Sequence, residues 1–308
     1  MEHEFIAYHG WERCLRLTNG IIDLVLTTEV GPRLIRFGFV EDDNEFAEFP
    51  DQMGLTGGED WRIYGGHRLW HSPEMFPRTY FPDNAPVTVQ FNEDFVRVIQ
   101  PVETTTGIQK ELDLRLEEQA ARVTVTHRLR NTGLWPVELA PWALSVMAPG
   151  GTAILPMPPR ATHSENISPA NTLTMWAYTD FSDSRWVFGA QFILLNHDSQ
   201  AGAPQKIGAS VPDGWAAFAR DGHLFLKQVP YQSGANYPDG GCSFEIFTNA
   251  LMTELETLGP LARLEPGGAA VEHVETWDLL KDIPQPANEA DVLQSVLPAV
   301  KPLLGRSA

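Results

Sequence analysis

The densest concentration of reactive side chains in the 308-residue sequence is Tyr64-Gly65-Gly66-His67-Arg68-Leu69-Trp70-His71-Ser72-Pro73-Glu74. Imidazole and carboxylate groups exchange protons, a guanidinium binds carboxylates or phosphates as a fork, and an indole offers a flat apolar surface. Groups of this kind collect where a rigid scaffold carries a loop. The competing structural account makes Gly65-Gly66 a turn, buries Trp70 and leaves the polar groups in solvent. His67 and His71 stand four apart with Glu74 three further on, a spacing that would suit a metal on a helix. The glycine pair and Pro73 argue against a helix, so no metal or other cofactor is expected. On an extended segment His67, Leu69 and His71 take one side and Arg68 and Trp70 the other.

A second constellation lies almost two hundred residues on. Glu254 and Glu256 flank Leu255 on a strand-like run, so the two carboxylates share a face and couple, which raises one pKa. A solvated strand face explains the pair equally well. Trp70, and Trp142 between Pro141 and Gly150, are placed where a ring could stack on a sugar. Carboxylates with His and Trp suit acid and base chemistry at an anomeric carbon. A Gly-x-Ser-x-Gly elbow and a phosphate-cradling glycine loop are both missing from the sequence, which removes the support for a serine triad or a nucleotide site.

The elements that must carry these groups read as strands. Period-2 alternation recurs between turn signals: Ile22, Leu24 and Leu26 on one side, then Leu112, Leu114 and Leu116, then Val125, His127 and Leu129. His127, on the apolar side, reads as a hydrogen-bonded core histidine. Asp221-Gly222 joins Trp215 to Arg220 and His223 to Val229 as a tight hairpin. About a dozen strands emerge, with an irregular stretch from 156 to 185 that reads as a lid or binding loop. Only the tail shows helical spacing, through Val292, Val296 and Leu297. With no repeat and no linker, one large all-β domain over 1–281 followed by a partly helical tail over 282–308 is expected.

Composition bounds the partners. The chain is 43% hydrophobic and 20% charged, and no apolar run approaches the roughly 18 residues that span a bilayer. A net charge of -18 opposes nucleic acid and anionic lipid. The start lacks the pattern of a secretory signal, so a cytoplasmic location is expected. Cys14 and Cys242, far apart and without local His partners, read as buried small residues.

Several segments carry a resemblance: Gly10-Trp11 through Asn19-Gly20, Gly31-Pro32-Arg33, the stretch at 65–74, and Leu255-Glu256-Thr257-Leu258-Gly259-Pro260. Over about residues 8 to 280 the chain resembles the galactose mutarotase-like superfamily, in a bacterial branch resembling a domain of unknown function. The resemblance implies a large antiparallel β-supersandwich. Glu254-Leu255-Glu256-Thr257, Glu265-Pro266-Gly267 and Thr276-Trp277 stand in the order of the family's late catalytic strand, so Glu256 matches the base that takes the anomeric proton. His67 and Arg68 match an early sugar-binding cluster. The family's acid is a histidine in a central segment, and here Trp142 stands at or near that place.

The expectation is therefore a carbohydrate-active protein, an aldose 1-epimerase-like isomerase acting on a small-molecule saccharide. Glu256 would be the base and His67 or His71 the displaced acid, with Arg68, Trp70, Glu74, Trp142, Glu254, Lys227 and Tyr231 as substrate contacts. The alternatives are a non-catalytic saccharide-binding protein and a lyase or hydrolase acting on acidic saccharides.

Overall fold

Side-chain alternation over most of the chain produces two antiparallel sheets that pack face to face. The computed structural model describes residues 1–305, and residues 306–308 of the expected tail lie outside that range. The larger sheet has eleven strands. Their order is Glu2–Tyr8, Trp11–Thr18, Ile22–Thr27, Arg33–Phe39, Gly66–Ser72, Val137–Met147, Thr253–Leu258, Phe244–Thr248, Gln205–Ala209 and Leu173–Met175, with Ala262–Leu264 pairing beside Val137–Met147. The second sheet has ten strands. It runs Trp186–Phe188, Phe192–Asn196, Thr152–Pro156, Trp215–Arg220, His223–Gln228, Ala269–Leu280, Arg122–Asn131, Ile108–Leu116, Val96–Ile99 and Thr88–Phe91. This is the antiparallel β-supersandwich expected of the sequence.

The core lies between the sheets. Leu24, Phe37, Leu69 and Leu255 enter it from the larger sheet, and Leu112, Val125, Phe225 and Trp277 from the smaller. Phe37, Phe46, Phe225 and Trp277 meet with ring centroids 5.6 to 6.1 Å apart, mostly tilted or edge-on, as aromatic quadrupoles prefer. The hairpin at Asp221-Gly222 is present, with φ of 50° and 84° as its tight turn requires. Cys14 and Cys242 are buried free thiols.

The dozen strands expected fall short of those present: Glu2–Tyr8, Trp11–Thr18, Thr152–Pro156 and Gln205–Ala209 are not among the dozen, and Leu173–Met175, Trp186–Phe188 and Ala262–Leu264 are only three residues long. Runs that short carry no measurable period. Leu173–Met175 also lies within the 156–185 stretch, pinning part of it to Gln205–Ala209 as the edge strand of the larger sheet.

Gly65 and Gly66 are not an ordinary turn. A Cβ on Gly65 would sit 2.0 Å from the Ala47 carbonyl oxygen, and one on Gly66 2.2 Å from that of Leu34, with φ of +105° and +70°. Only glycine lets two backbones pass that closely and then enter the Gly66–Ser72 strand.

The tail folds into short helical turns over Glu289–Asp291, Val292–Val296 and Leu297–Val300. The Asn288 side chain caps their start by accepting from the Asp291 amide. Val292, Val296 and Val300 are fully buried against Ile154, Phe192, Trp215 and Leu226, so the tail covers the outer face of the ten-stranded sheet. Among the described residues no helix is long and apolar enough to cross a membrane. Val296→Ala is expected to cost roughly 2 kcal/mol through lost burial and a residual cavity. Urea denaturation followed by intrinsic tryptophan fluorescence would measure this, and an unchanged midpoint would contradict the packing described.

Candidate functional site

Strand register decides which of the singled-out residues can meet. Across the larger sheet Arg68 is opposite Leu144 and Leu144 opposite Glu256; Trp70 is opposite Trp142, Val146 opposite Glu254, and Glu256 opposite Glu245. Directly opposed residues share a face. Arg68, Trp70, Trp142, Glu254 and Glu256 therefore project together from the outer face of this sheet, away from the sandwich core, while Leu255 points inward. The structure adds two residues that sequence reasoning missed, Glu245 and Lys206.

Their contacts form one connected set. The Trp142 indole N–H donates to Glu256 Oε2 at 2.7 Å, and Lys206 Nζ donates to the same oxygen at 3.0 Å. Lys206 also pairs with Glu245 at 2.7 Å and lies over the rings of Trp142 and Trp176 at 4.9 and 4.7 Å. Arg68 donates to Glu254 at 3.1 Å and stacks 4.5 Å above Trp70. Trp61 and Tyr80 pack on Trp70, and the Tyr80 hydroxyl donates to Glu74. Four atoms in this set have no protein partner: Arg68 Nε, Arg68 Nη1, Glu245 Oε1 and Glu256 Oε1. Two donor nitrogens and two carboxyl oxygens are thus left unpaired.

The charges follow from burial. Burial pushes the Glu245 carboxyl well above the usual carboxylate range, against the pull of Lys206. It pushes Glu254 up too, opposed by Arg68 and reinforced by Glu256. Burial opposes the Lys206 charge, but Glu245 and Glu256 outweigh it and hold the ammonium. Three carboxylates face two cations, so the cluster is near neutral when one carboxyl keeps a proton, the state expected of charges removed from water.

No family model matches the sequence, and no curated protein does. Solved structures do resemble it. A putative aldose 1-epimerase from Klebsiella pneumoniae superposes with a TM-score of 0.61 at 13% identity, covering 100% of this chain and 90% of that one. A galactose mutarotase-like protein from Lactobacillus casei gives 0.55 at 11% identity, over 87% and 100%. A TPR-domain containing protein from Parabacteroides distasonis gives 0.58 at 14% identity over 89% of this chain, which spans 48% of that protein. The chain has the galactose mutarotase-like fold.

In this mutarotase-like sandwich the two histidines of the glycine-led stretch lie on the other side of the sheet from Glu256. His67 is opposite Ser145 and enters the core with Leu69. Its Nε2 meets His127 Nε2 at 2.7 Å and its Nδ1 meets Ser145 Oγ at 2.9 Å. His127 Nδ1 faces the His273 carbonyl at 2.9 Å and so carries the proton there. That assignment makes His67 Nε2–H the donor to His127 and Ser145 the donor to His67. The expected pairing of either histidine with Glu256 is thereby corrected, because period-2 alternation sends odd and even residues of Gly66–Ser72 to opposite faces.

Lys227, expected at the sugar, is a core residue. Its Nζ lies 3.0 Å from Glu275 and donates to Ser145 Oγ and to the carbonyls of Ala143 and Leu255 at 3.1 to 3.2 Å. Glu275 also accepts from Thr257 and from the Trp277 indole. Tyr231 stacks on Tyr237 and lines a separate cleft with Asp213 and Gln228. His67, His127 and Glu275 place ligand atoms within 4.8 Å of one another, the set of this kind among the described residues. Two imidazoles and a carboxylate suit a transition metal. Each of these atoms already has a hydrogen-bond partner, however, and the Lys227 cation adjoins Glu275, so the group is complete as a proton network. Glu74 bonds Tyr80 and does not join the two histidines.

His71 is 1% exposed, and neither ring nitrogen has a partner. Burial, with Lys110 and Arg78 nearby, pushes its pKa down to about 3. A folded-state pKa below the unfolded value means that the unfolded chain binds more protons at acid pH. The associated stability is present above the unfolded value and lost as pH falls toward 3. His71→Leu removes this penalty, so the stability of the variant relative to wild type should rise by about 2 kcal/mol between pH 8 and pH 5. Urea unfolding at the two pH values measures the difference, and a pH-independent difference would contradict it.

Proposed function

We propose that the protein binds a saccharide against the outer face of the eleven-stranded sheet and interconverts its anomers, as an aldose 1-epimerase-like isomerase with Glu256 as general base. The observation that carries this reading is the state of the Glu256 carboxylate. Trp142 and Lys206 anchor Oε2 while Oε1 stays free, which orients one oxygen for proton transfer.

In the reaction Oε1 takes the proton of the anomeric hydroxyl, and the bond between the anomeric carbon and the ring oxygen breaks. The ring oxygen keeps the bond electrons and takes a proton from a carboxylic acid. Of the two carboxyls that burial pushes up, Glu245 is tied to the Lys206 ammonium at 2.7 Å, whereas Glu254 lies on the same strand face as Glu256 beside Arg68, whose Nε and Nη1 are without partners, so Glu254 is assigned the donor. The aldehyde rotates and closes on its other face as both protons return. Arg68 uses its free N–H groups on sugar oxygens, and Trp70 and Trp142 flank the site. In this scheme Glu254 takes the place of the histidine acid expected at His67 or His71.

A second reading, saccharide binding without turnover, draws support from the inward direction of both His67 and His71. Anomer-resolved NMR on a panel of aldoses separates the two. Wild type should exceed the spontaneous rate, and Glu256→Gln should lower that excess by about 10²- to 10⁴-fold with binding retained. Binding with no excess rate in wild type would leave a binding protein, and cleaved products would instead indicate a lyase or hydrolase.

A further inference from the structure

The orphaned imidazole of His71 does not belong to the outer-face site. It lines a cavity of about 310 Å³ at the edge of the sandwich together with Pro77, Arg78, Ile108, Val137 and Leu139, with Glu138 at the exposed rim. Both sheets contribute, Ile108 from the start of one strand and Val137 and Leu139 from the start of another. The cavity is large enough for a small organic ligand. Its walls are mainly apolar, and its buried polar atoms without partners are the two ring nitrogens of His71 and the Nε of Arg78. Arg78 otherwise donates only to the Pro73 carbonyl through Nη2.

We propose that this cavity binds a small monocarboxylate with an apolar body, an aromatic or branched aliphatic acid. Its carboxylate accepts from a His71 ring N–H and from Arg78 Nε–H, and its body packs on Pro77, Ile108, Val137 and Leu139. Three observations select this chemistry. Buried donors without partners are costly and are satisfied by a ligand that accepts. Lys110 is paired with Glu103 at 2.6 Å, which leaves the Arg78 guanidinium as the cation at the cavity wall and favours an anion over a neutral or cationic head. Thr105 and Thr106 also line the cavity, but most of its surface is apolar, so a saccharide would leave many of its hydroxyls against alkyl groups, which is unfavourable.

The test uses the full-length protein with benzoate and 3-phenylpropionate as probes at pH 7.5, read by isothermal titration and saturation-transfer NMR. Benzyl alcohol and benzylamine serve as head-group controls. Saturable binding of an acid is expected, weakened about tenfold or more by His71→Leu and by Arg78→Gln, since each removes a hydrogen bond to a charged group. Benzyl alcohol should bind more weakly by a similar factor and benzylamine more weakly still. Glu256→Gln, on the other face of the sheet, should leave benzoate binding unchanged. Arg78 is half-buried on a loop, so its variant decides the matter if His71→Leu fails to fold. The proposal is overturned if neither acid binds saturably, if binding survives both substitutions, or if the alcohol binds as well as the acid.

Discussion

A β-strand sends neighbouring side chains to opposite sides, and this constraint along Gly66–Ser72 governs much of the molecule. His67, Leu69 and His71 go to the interior, whereas Arg68 and Trp70 go to the outer face. The strands on either side repeat the division, so Ser145 and Leu255 look inward while Trp142, Glu254 and Glu256 look outward. Two polar systems are therefore built back to back on one sheet, separated by the thickness of its backbone.

The two systems solve the problem of buried charge differently. Outside, Lys206 and Arg68 oppose Glu245, Glu254 and Glu256, and each cation also rests on indole rings. Aromatic faces stabilise a cation without competing for its N–H donors, which leaves those donors for carboxylates or a ligand. Inside, a single ion pair of Lys227 and Glu275 is surrounded by neutral histidines, hydroxyls and an indole that complete its hydrogen bonds. The outer set keeps open valences, and the inner set has none at His67, His127 or Glu275.

Much of this was legible in the sequence. The all-β class followed from alternation, the common face of Glu254 and Glu256 from their spacing, and the core position of His127 from its apolar neighbours. The separation of His67 and His71 from Glu256 was legible too: Leu69 shares a side with both histidines, and Leu255 is on the side opposite both glutamates. Matching those two leucines to the core places the groups on different faces. Lys206 was not legible, because a lysine in a five-residue strand reads as solvated until its neighbours are known. Those neighbours, Glu245 and Glu256, are brought in by pairing at long sequence separation, which no local pattern encodes.

The inner network has a consequence for how the two layers find their alignment. His67, Ser145 and Thr257 belong to one sheet, and His127, Lys227, His273 and Glu275 to the other. Apolar surfaces attract without direction, so collapse alone would tolerate layers displaced by a residue pair. Hydrogen bonds are directional, and a misregistered collapse would bury an ammonium, a carboxylate and three imidazoles with no partners. The polar centre thus acts as a gauge of alignment, penalising the compact but wrongly assembled sandwiches that hydrophobic contact would otherwise accept.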